Sequence, residues 1–326
     1  MRLPKFEWVR PASLKEAAAF LKAQGPRATL MAGGTDLVIS MKQRTRLPSF
    51  LVDLKSIPGL AVIRTVDEGG MSIGPLMKLS DIVTSPEVNH LYPELSRAAS
   101  AVGSYQIRNQ GTLGGNLCLQ TKCYYIDQSS SWWTSSERCR KRGGKHCYVL
   151  PSSTRGCFAL LSGDTVPALI AYKAQLRITG PEAERVISLE ELYTGQGLRH
   201  LDLRPEEILS EVLLPPPDGA KVSFFKYGAR NTIDFAMVSG AVSFKRSSRE
   251  ARIVVGGVAS GPLRAREAED LLIQNPEGDV ADEIGRVAAA KLKMVSWIRG
   301  SVSYKREMIR LLVRDAVNRL QERTTS

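Results

Sequence analysis

Thiol chemistry is concentrated in one part of this chain. Four of its five cysteines, Cys123, Cys139, Cys147 and Cys157, share a single stretch with the spacing C-x15-C-x7-C-x9-C. Thiolates are nucleophiles and soft metal ligands, so such a set can hold tetrahedral zinc, carry an iron–sulfur centre or remain as free thiols. The spacing leaves all three open, although zinc ribbons and fingers usually bring ligands in close C-x2–4-C pairs and none occurs here. Cys118 lies five residues before Cys123 and reads as a packing thiol. Tyr124, Tyr125, Trp132 and Trp133 are expected to cover a bound centre and limit its water. Arg138, Arg140, Lys141, Arg142, Lys145 and His146 form a basic tip, either a solvated loop or a landing patch for an acidic carrier.

A second kind of chemistry needs no reactive side chain. "LMAGGTDL" (30–37) and "GTLGGNL" (111–117) each place two adjacent glycines in a turn. Without a Cβ, such a backbone bends tightly and lets a ligand approach closely. Thr35 and Asn116 then offer side-chain hydrogen bonds beside exposed N–H groups, which suit an anionic pyrophosphate. Neither turn matches G-x-G-x-x-G or a P-loop, and either alone is weak. Together they make a dinucleotide cradle plausible.

The surrounding periodicity supplies elements to position these groups. "SLKEAAAFLKAQG" has Ser13 and Glu16 in capping-box spacing and predicts a short helix closing on Gly25. "ATLMAGGTDLVISMKQ" predicts a strand, a turn and a helix-compatible run. "FLVDLKSI" predicts a strand, "GGMSIGPLMKLSDIV" a strand leading into a helix, and "LYPELSRAASAVG" a helix. "TVPALIAYKAQLRITG" predicts a helix or buried strand, then an alternating strand. Three prolines in "LLPPPDGAKV" mark a boundary. Strands "KVSFFKYGA", "AMVSGAVSFK" and "ARIVVGGVA" follow, then helices, the last with Ile309, Leu312, Val313, Ala316, Val317 and Leu320 on one face.

The chain has 326 residues, 43% of them hydrophobic and 24% charged, which predicts a globular protein of one to three domains. No apolar run approaches the roughly 20 residues of a membrane span. The first residues carry no signal-peptide core, and a cytoplasmic location is expected. A net charge of +12 fits nucleic acid or an acidic protein partner equally well. Zinc-finger spacing, a basic tail and RNA-binding aromatic motifs are all missing, so nucleic acid is not expected.

Six motifs, "LMAGGTDLVISMK", "TLGGNLC", "GDTVPALIA", "EEILSEVLLP", "FFKYGARNTIDFAMVSGAV" and "GVASGPLRAREAE", occur in an order that resembles FAD-binding medium subunits of the xanthine dehydrogenase and carbon monoxide dehydrogenase (molybdenum hydroxylase) family. The resemblance runs from about residue 5 to 320 and implies an α+β fold. That fold has an N-terminal α/β subdomain (1–56), a mixed α+β subdomain with an inserted loop (57–216, insert about 119–158) and a small C-terminal α+β domain (217–326). It puts Leu30, Met31, Ala32, Gly33, Gly34, Thr35, Asp36 and Leu37 around the FAD pyrophosphate, and Thr112, Leu113, Gly114, Gly115 and Asn116 on its other side. It further implies that Asp164 lies near the ribityl or flavin portion and that Leu209 packs on the isoalloxazine. Lys226 would sit beside the ring, where a cation can stabilise a reduced, anionic flavin. On their own chemistry Asp164 could be an N-cap, Leu209 a core residue and Lys226 a solvated strand lysine. The implied partners are a molybdopterin-binding large subunit and a small subunit with [2Fe–2S] clusters.

Asn116 and Asp164 stand 48 positions apart, far more than in ordinary members, so an insertion of about forty residues holds the four cysteines. It resembles the inserted loop of 4-hydroxybenzoyl-CoA reductase β subunits, which implies that Cys123, Cys139, Cys147 and Cys157 bind a [4Fe–4S] cluster. A cluster would organise a loop with little hydrophobic content of its own. The resemblance implies an electron-transfer subunit taking electrons from a ferredoxin-type carrier for the reductive removal of a phenolic hydroxyl. The alternatives are the FAD subunit of an oxidative molybdenum dehydrogenase, or a basic, zinc-stapled binding protein.

Overall fold

The computed structural model describes residues 2–66, 69–134, 137–153, 156–230, 232–276, 280–296 and 300–321. Arg155, near the end of the insert, and the outermost residues of the expected first and last domains lie outside them. Three sheets succeed one another along the chain.

The first is parallel and three-stranded, in the order β1–β3–β2, from β1 (Glu7–Val9), β2 (Ala28–Met31) and β3 (Phe50–Asp53). Parallel neighbours need crossovers, supplied here by α1 (Leu14–Gln24) and α2 (Leu37–Lys42). Ser13 Oγ accepts from the Glu16 N–H at 3.2 Å. Glu16 reaches back to the Ala12 N–H at 2.8 Å, one residue beyond the usual capping box. Ala17, Ala18 and Leu21 of α1 pack against Val52 and Leu54.

The second sheet is five-stranded, β4–β5–β8–β6–β7, with every pairing antiparallel. Its strands are β4 (Ile63–Thr65), β5 (Met71–Ile73), β6 (Gln175–Thr179), β7 (Glu184–Ser188) and β8 (Ile208–Leu214). Between β5 and β6 run α3 (Leu79–Thr84), α4 (Pro86–Leu91), α5 (Pro93–Ser100), α6 (Tyr105–Arg108), α7 (Leu113–Leu117), α8 (Ser130–Thr134) and α9 (Thr165–Ala171). α3, α4, α5, α7 and α9 and this sheet enclose the main core, around Ile73, Leu95, Leu117, Leu169, Leu176 and Val212.

The third sheet, β12–β11–β10–β9, joins β9 (Lys221–Tyr227), β10 (Val238–Lys245), β11 (Glu250–Gly256) and β12 (Leu263–Arg264), again antiparallel. α10 (Arg266–Gln274), α11 (Ala281–Lys291) and α12 (Val302–Gln321) complete the chain's described elements. Side chains alternate across a strand: Ile253 and Val255 join the cluster under these helices, while Val254 joins the main core. With both faces covered, β10 is buried along nearly its whole length. α12 buries Ile309, Val313, Ala316, Val317 and Leu320 as its periodicity predicts, with Leu312 only partly buried. It also buries Lys305, whose ammonium donates to the Val295 carbonyl at 3.1 Å. Among the described residues no helix is long and apolar enough to cross a membrane.

Candidate functional site

The two glycine turns meet. A Cβ on Gly33 would lie 1.9 Å from the Gln110 carbonyl oxygen, so the first turn packs directly on the backbone leading into the second. Gly34 has φ +75°, a left-handed conformation that glycine adopts without strain. The N–H groups of Gly33, Gly34, Thr35 and Asp36 find no acceptor among the described residues, and all four residues are half-exposed. They form a row of unspent donors at the end of β2. Leu30, Met31 and Ala32 are likewise half-exposed, and Leu37 is buried where α2 begins.

The second turn contributes differently from the expectation of exposed donors. Leu113 N–H donates to the Met77 carbonyl at 2.9 Å and Gly114 N–H to Pro75 at 2.8 Å. Thr112, at the N-cap of α7, accepts the Gly115 N–H on its Oγ1 at 3.1 Å. Asn116 Oδ1 accepts from the Thr165 N–H and hydroxyl at 3.2 and 2.7 Å, tying α7 to α9 instead of offering this oxygen to a ligand. Pro75 fills the space beside Gly114, where a Cβ would come within 2.7 Å of it. Gly115 is exposed, and a Cβ there would meet only Thr112 Oγ1, at 3.0 Å. The second turn therefore supplies a bare surface for close approach, and the first supplies the donors.

Asp164 directly precedes α9 but makes no capping bond. It is 3% exposed; its Oδ2 accepts from Lys226 Nζ at 2.7 Å, and its Oδ1 is buried without a partner. Lys226 spends its other donors on the carbonyls of Ala101 (2.7 Å) and Asp234 (2.9 Å). All three ammonium protons are thus committed within the protein, which joins β9 to α5 and α9. Such a lysine holds Asp164 in place and is neither solvated nor free to turn toward a ring. Leu209 sits on β8 opposite Ile178 in the main core, 5% exposed.

Burial pushes the Asp164 carboxyl up to about 6, against the pull of Lys226. Because this lies above the unfolded value near 3.8, the native state holds the proton more tightly. The resulting stabilisation is fully present below about pH 4 and is lost as pH rises through 6. Asp164→Asn should remove it. The urea-unfolding midpoint of the parent minus that of the variant should therefore fall between pH 4 and 7; a flat difference would contradict this protonation behaviour.

The insert folds around its cysteines. Cys123, Cys139, Cys147 and Cys157 all line one small cavity, together with Tyr125, Ile126, Tyr148 and Val149. Burial pushes the Cys123 thiol up to about 11, while the backbone N–H groups of Tyr125 and Ile126 pull it down and neighbouring Cys157 pushes it up. Cys139 is raised by burial and opposed by N–H groups of Arg142 and Lys141. Cys157 is raised by burial and opposed by the Ala159 N–H and by Lys141. Cys118 lies outside the cavity, packs against the main core and is pushed up to about 12 by burial alone. Among the described residues no group of three or more His, Cys, Asp or Glu side chains is arranged to hold a metal ion, so the four cysteines line one space without forming a ready metal site. Tetrahedral zinc, with Zn–S near 2.3 Å, would need its sulfurs only about 3.8 Å apart.

Half of the basic tip is structural. Arg140 donates to the Gly156 and Lys145 carbonyls (3.2 and 2.5 Å), and Lys141 to Thr121 Oγ1 (2.5 Å). Arg142 donates to the carbonyls of Ile126 and Gln128 (3.2 and 3.1 Å) and lies over Trp133. A loop with little apolar content uses these cations to satisfy its own carbonyls. Only Arg138, Lys145 and His146 are exposed. Of the four aromatics expected as a cover, Tyr125 alone lines the cavity. Trp133 is buried against Trp132 (ring centroids 4.5 Å apart), and Tyr124 is exposed.

Sequence reasoning missed two connections. Lys122 pairs through both backbone groups with Leu160 at 2.8 Å, and its ammonium meets the Asp36 carboxylate, which joins the root of the insert to the first glycine turn. Gly197 packs on the insert, since a Cβ there would lie 2.3 Å from the Cys157 carbonyl. Neither residue belongs to a motif; the only signal was a lysine adjoining a cysteine.

Comparison with known proteins identifies the frame. Residues 4–217 match the FAD binding domain in molybdopterin dehydrogenase, and residues 223–320 the CO dehydrogenase flavoprotein C-terminal domain. The chain is 34% identical to the aldehyde oxidoreductase FAD-binding subunit PaoB of Escherichia coli, over 80% of this chain and 84% of that one. It is 30% identical to the 6-hydroxypseudooxynicotine dehydrogenase complex subunit alpha of Paenarthrobacter nicotinovorans, over 96% and 93%. Its fold matches a chain of the reconstituted CO dehydrogenase from Oligotropha carboxidovorans with a TM-score of 0.79 and 26% identity, covering 99% of this chain and 100% of that one. These matches span both the glycine turns and the C-terminal sheet, and they leave no ground for a zinc-stapled binding protein. The chain belongs to the FAD-binding medium subunits of the molybdenum hydroxylase family and is an oxidoreductase subunit.

Proposed function

We propose that this chain is the FAD- and [4Fe–4S]-carrying electron-transfer subunit of a cytoplasmic molybdenum hydroxylase-type complex. Its partners would be a molybdopterin-binding large subunit and a [2Fe–2S] small subunit. The observation that carries the reading is the cysteine cavity. Four cysteines line one space, and backbone N–H groups beside three of them favour the thiolate. N–H···S bonds stabilise thiolate and tune cluster potential.

The residues also fit FAD. Four unspent N–H donors suit a pyrophosphate, the exposed face of Gly115 admits close approach, and the unpartnered Asp164 Oδ1 awaits a hydroxyl or N–H. Residues 30–37, 112–116 and 164 would hold it, with Leu209 packing on the isoalloxazine and Lys226 near the flavin, where it holds Asp164. The same placement favours a division into 1–56, 57–216 and 217–326. Bound FAD would supply one- and two-electron exchange, and a cluster one-electron exchange. The chain's own groups position these centres and exclude water; no side chain here needs to act as an acid, a base or a nucleophile.

Resemblance of the insert to that of 4-hydroxybenzoyl-CoA reductase favours reductive dehydroxylation of an aromatic acyl-CoA. That reaction consumes two electrons and two protons and releases water, with a ferredoxin-type carrier as donor. The names of the relatives, an aldehyde oxidoreductase and a dehydrogenase complex subunit, favour the oxidative direction as a second reading. A visible spectrum tests the shared part: flavin bands over a broad iron–sulfur shoulder are expected, and a flavin spectrum alone would reject the cluster. Turnover of the whole complex with reduced ferredoxin and a 4-hydroxyaryl-CoA then separates the directions. If the carrier docks on the exposed part of the tip, Arg138→Glu with Lys145→Glu should slow entry from ferredoxin several-fold at low salt and spare a small artificial donor.

A further inference from the structure

The free N–H of Gly33 points where it does because of a residue outside both glycine turns. Lys55 follows β3, and its Nζ donates to the Ala32 carbonyl oxygen at 3.1 Å. Asp53 fixes the lysine from below: its carboxylate is 2.7 Å from Lys55 Nζ and accepts the Lys55 N–H at 3.1 Å. Asp53 is itself only 6% exposed, so this anchor is rigid. The Trp8 ring lies 5.8 Å from the ammonium on another side.

Peptide planarity transmits this grip. The Ala32 C=O and the Gly33 N–H belong to one trans peptide unit and point in opposite directions. No cis bond occurs among the described residues. An ammonium holding the carbonyl on the Lys55 side therefore turns the Gly33 N–H to the opposite side. The same contact polarises the amide, which strengthens its N–H as a donor. Gly33 cannot be fixed by a side chain of its own, since the Gln110 carbonyl occupies the position of its Cβ. Orientation has to come from the neighbouring carbonyl.

We infer that Lys55 is a positioning residue for the FAD pyrophosphate, acting through the Ala32–Gly33 peptide and not by contact with the cofactor. The inference rests on the first turn holding the phosphates. The lysine side chain is 51% exposed, and the buried Asp53 carboxylate keeps the Lys55 backbone N–H when the ammonium is removed, so the fold retains this anchor.

The test uses the full chain as purified with FAD. Cofactor dissociation constants are read from the recovery of flavin fluorescence on serial dilution, at low and at high salt. Lys55→Met should weaken FAD binding about tenfold, the effect of losing one charge-assisted hydrogen bond. The weakening should persist at high salt, because a geometric effect is not screened. Lys55→Arg, which keeps a donor in reach of the carbonyl, should recover most of the affinity. Melting temperatures at saturating FAD should stay within a degree or two of the parent. Parental affinity in Lys55→Met would overturn the inference, as would a loss that disappears at high salt, which would mark simple charge attraction. If Gly115→Val and Lys55→Met both leave FAD affinity unchanged, the placement of the phosphates fails; if only Lys55→Met does, the positioning role fails.

Discussion

Cys139→Ala and Cys147→Ala are each expected to strip the chain of about four iron atoms. Three remaining thiolates rarely retain a complete cubane, and these two sulfurs are buried in the wall of the shared cavity. The loss should be all or nothing in colour: the broad shoulder goes and the flavin bands stay. FAD remains because residues 30–37, 112–116 and Asp164 lie outside the insert. Lys122, which grips Asp36, keeps its own backbone pairing with Leu160. Cys118→Ala should keep both cofactors, since that thiol packs against the main core and outside the cavity. Iron and flavin per chain, measured on all three variants, decide the matter; equal iron loss from Cys118→Ala would show that a different set of four cysteines holds the metal.

Gly115→Val should reduce FAD affinity by about tenfold to a hundredfold while leaving a folded protein. The structure separates this glycine from its neighbours. At Gly33 an added Cβ would strike the Gln110 carbonyl, and at Gly114 it would strike Pro75, so substitutions there disturb the chain itself. At Gly34 the positive φ penalises any side chain. At Gly115 only the Thr112 hydroxyl is near, and valine in a short helix costs under about 1 kcal/mol. A bulky group on that open face would instead occupy the space of the bound phosphates, and overpacking of this kind typically costs about 1–3 kcal/mol. Flavin content after gel filtration, compared with the circular dichroism spectrum, provides the check. Full flavin content in Gly115→Val would mean that the second turn does not face the cofactor.

Much of this was legible in the sequence because it depends on local rules. Alternation located β9–β11, the 3.6-residue period located α12, and paired glycines marked two turns that the fold brings together. Less legible was what each group spends its hydrogen bonds on. Asn116 and Lys226 looked like ligand-facing residues, yet their polar atoms are largely consumed by Thr165 and by Asp164, Ala101 and Asp234. Those partners are distant in sequence, so no spacing rule announces them. The basic tip misled for the same reason. A run of cations reads as a solvated surface, but a loop poor in apolar residues turned Arg140, Lys141 and Arg142 inward onto its own carbonyls and a hydroxyl. Lys55 and Lys122 carry no motif, and only their placement beside the first turn gives them meaning.

The proposal that this FAD subunit carries an additional cluster stands or falls on metal analysis of the unmodified protein. Purified without oxygen, it should contain about four iron and four acid-labile sulfide per FAD, with negligible zinc, and its visible shoulder should bleach on reduction by dithionite. Stoichiometric zinc without iron or sulfide would contradict the cluster directly, and the cysteine cavity would then be a structural staple on an otherwise ordinary member of the family.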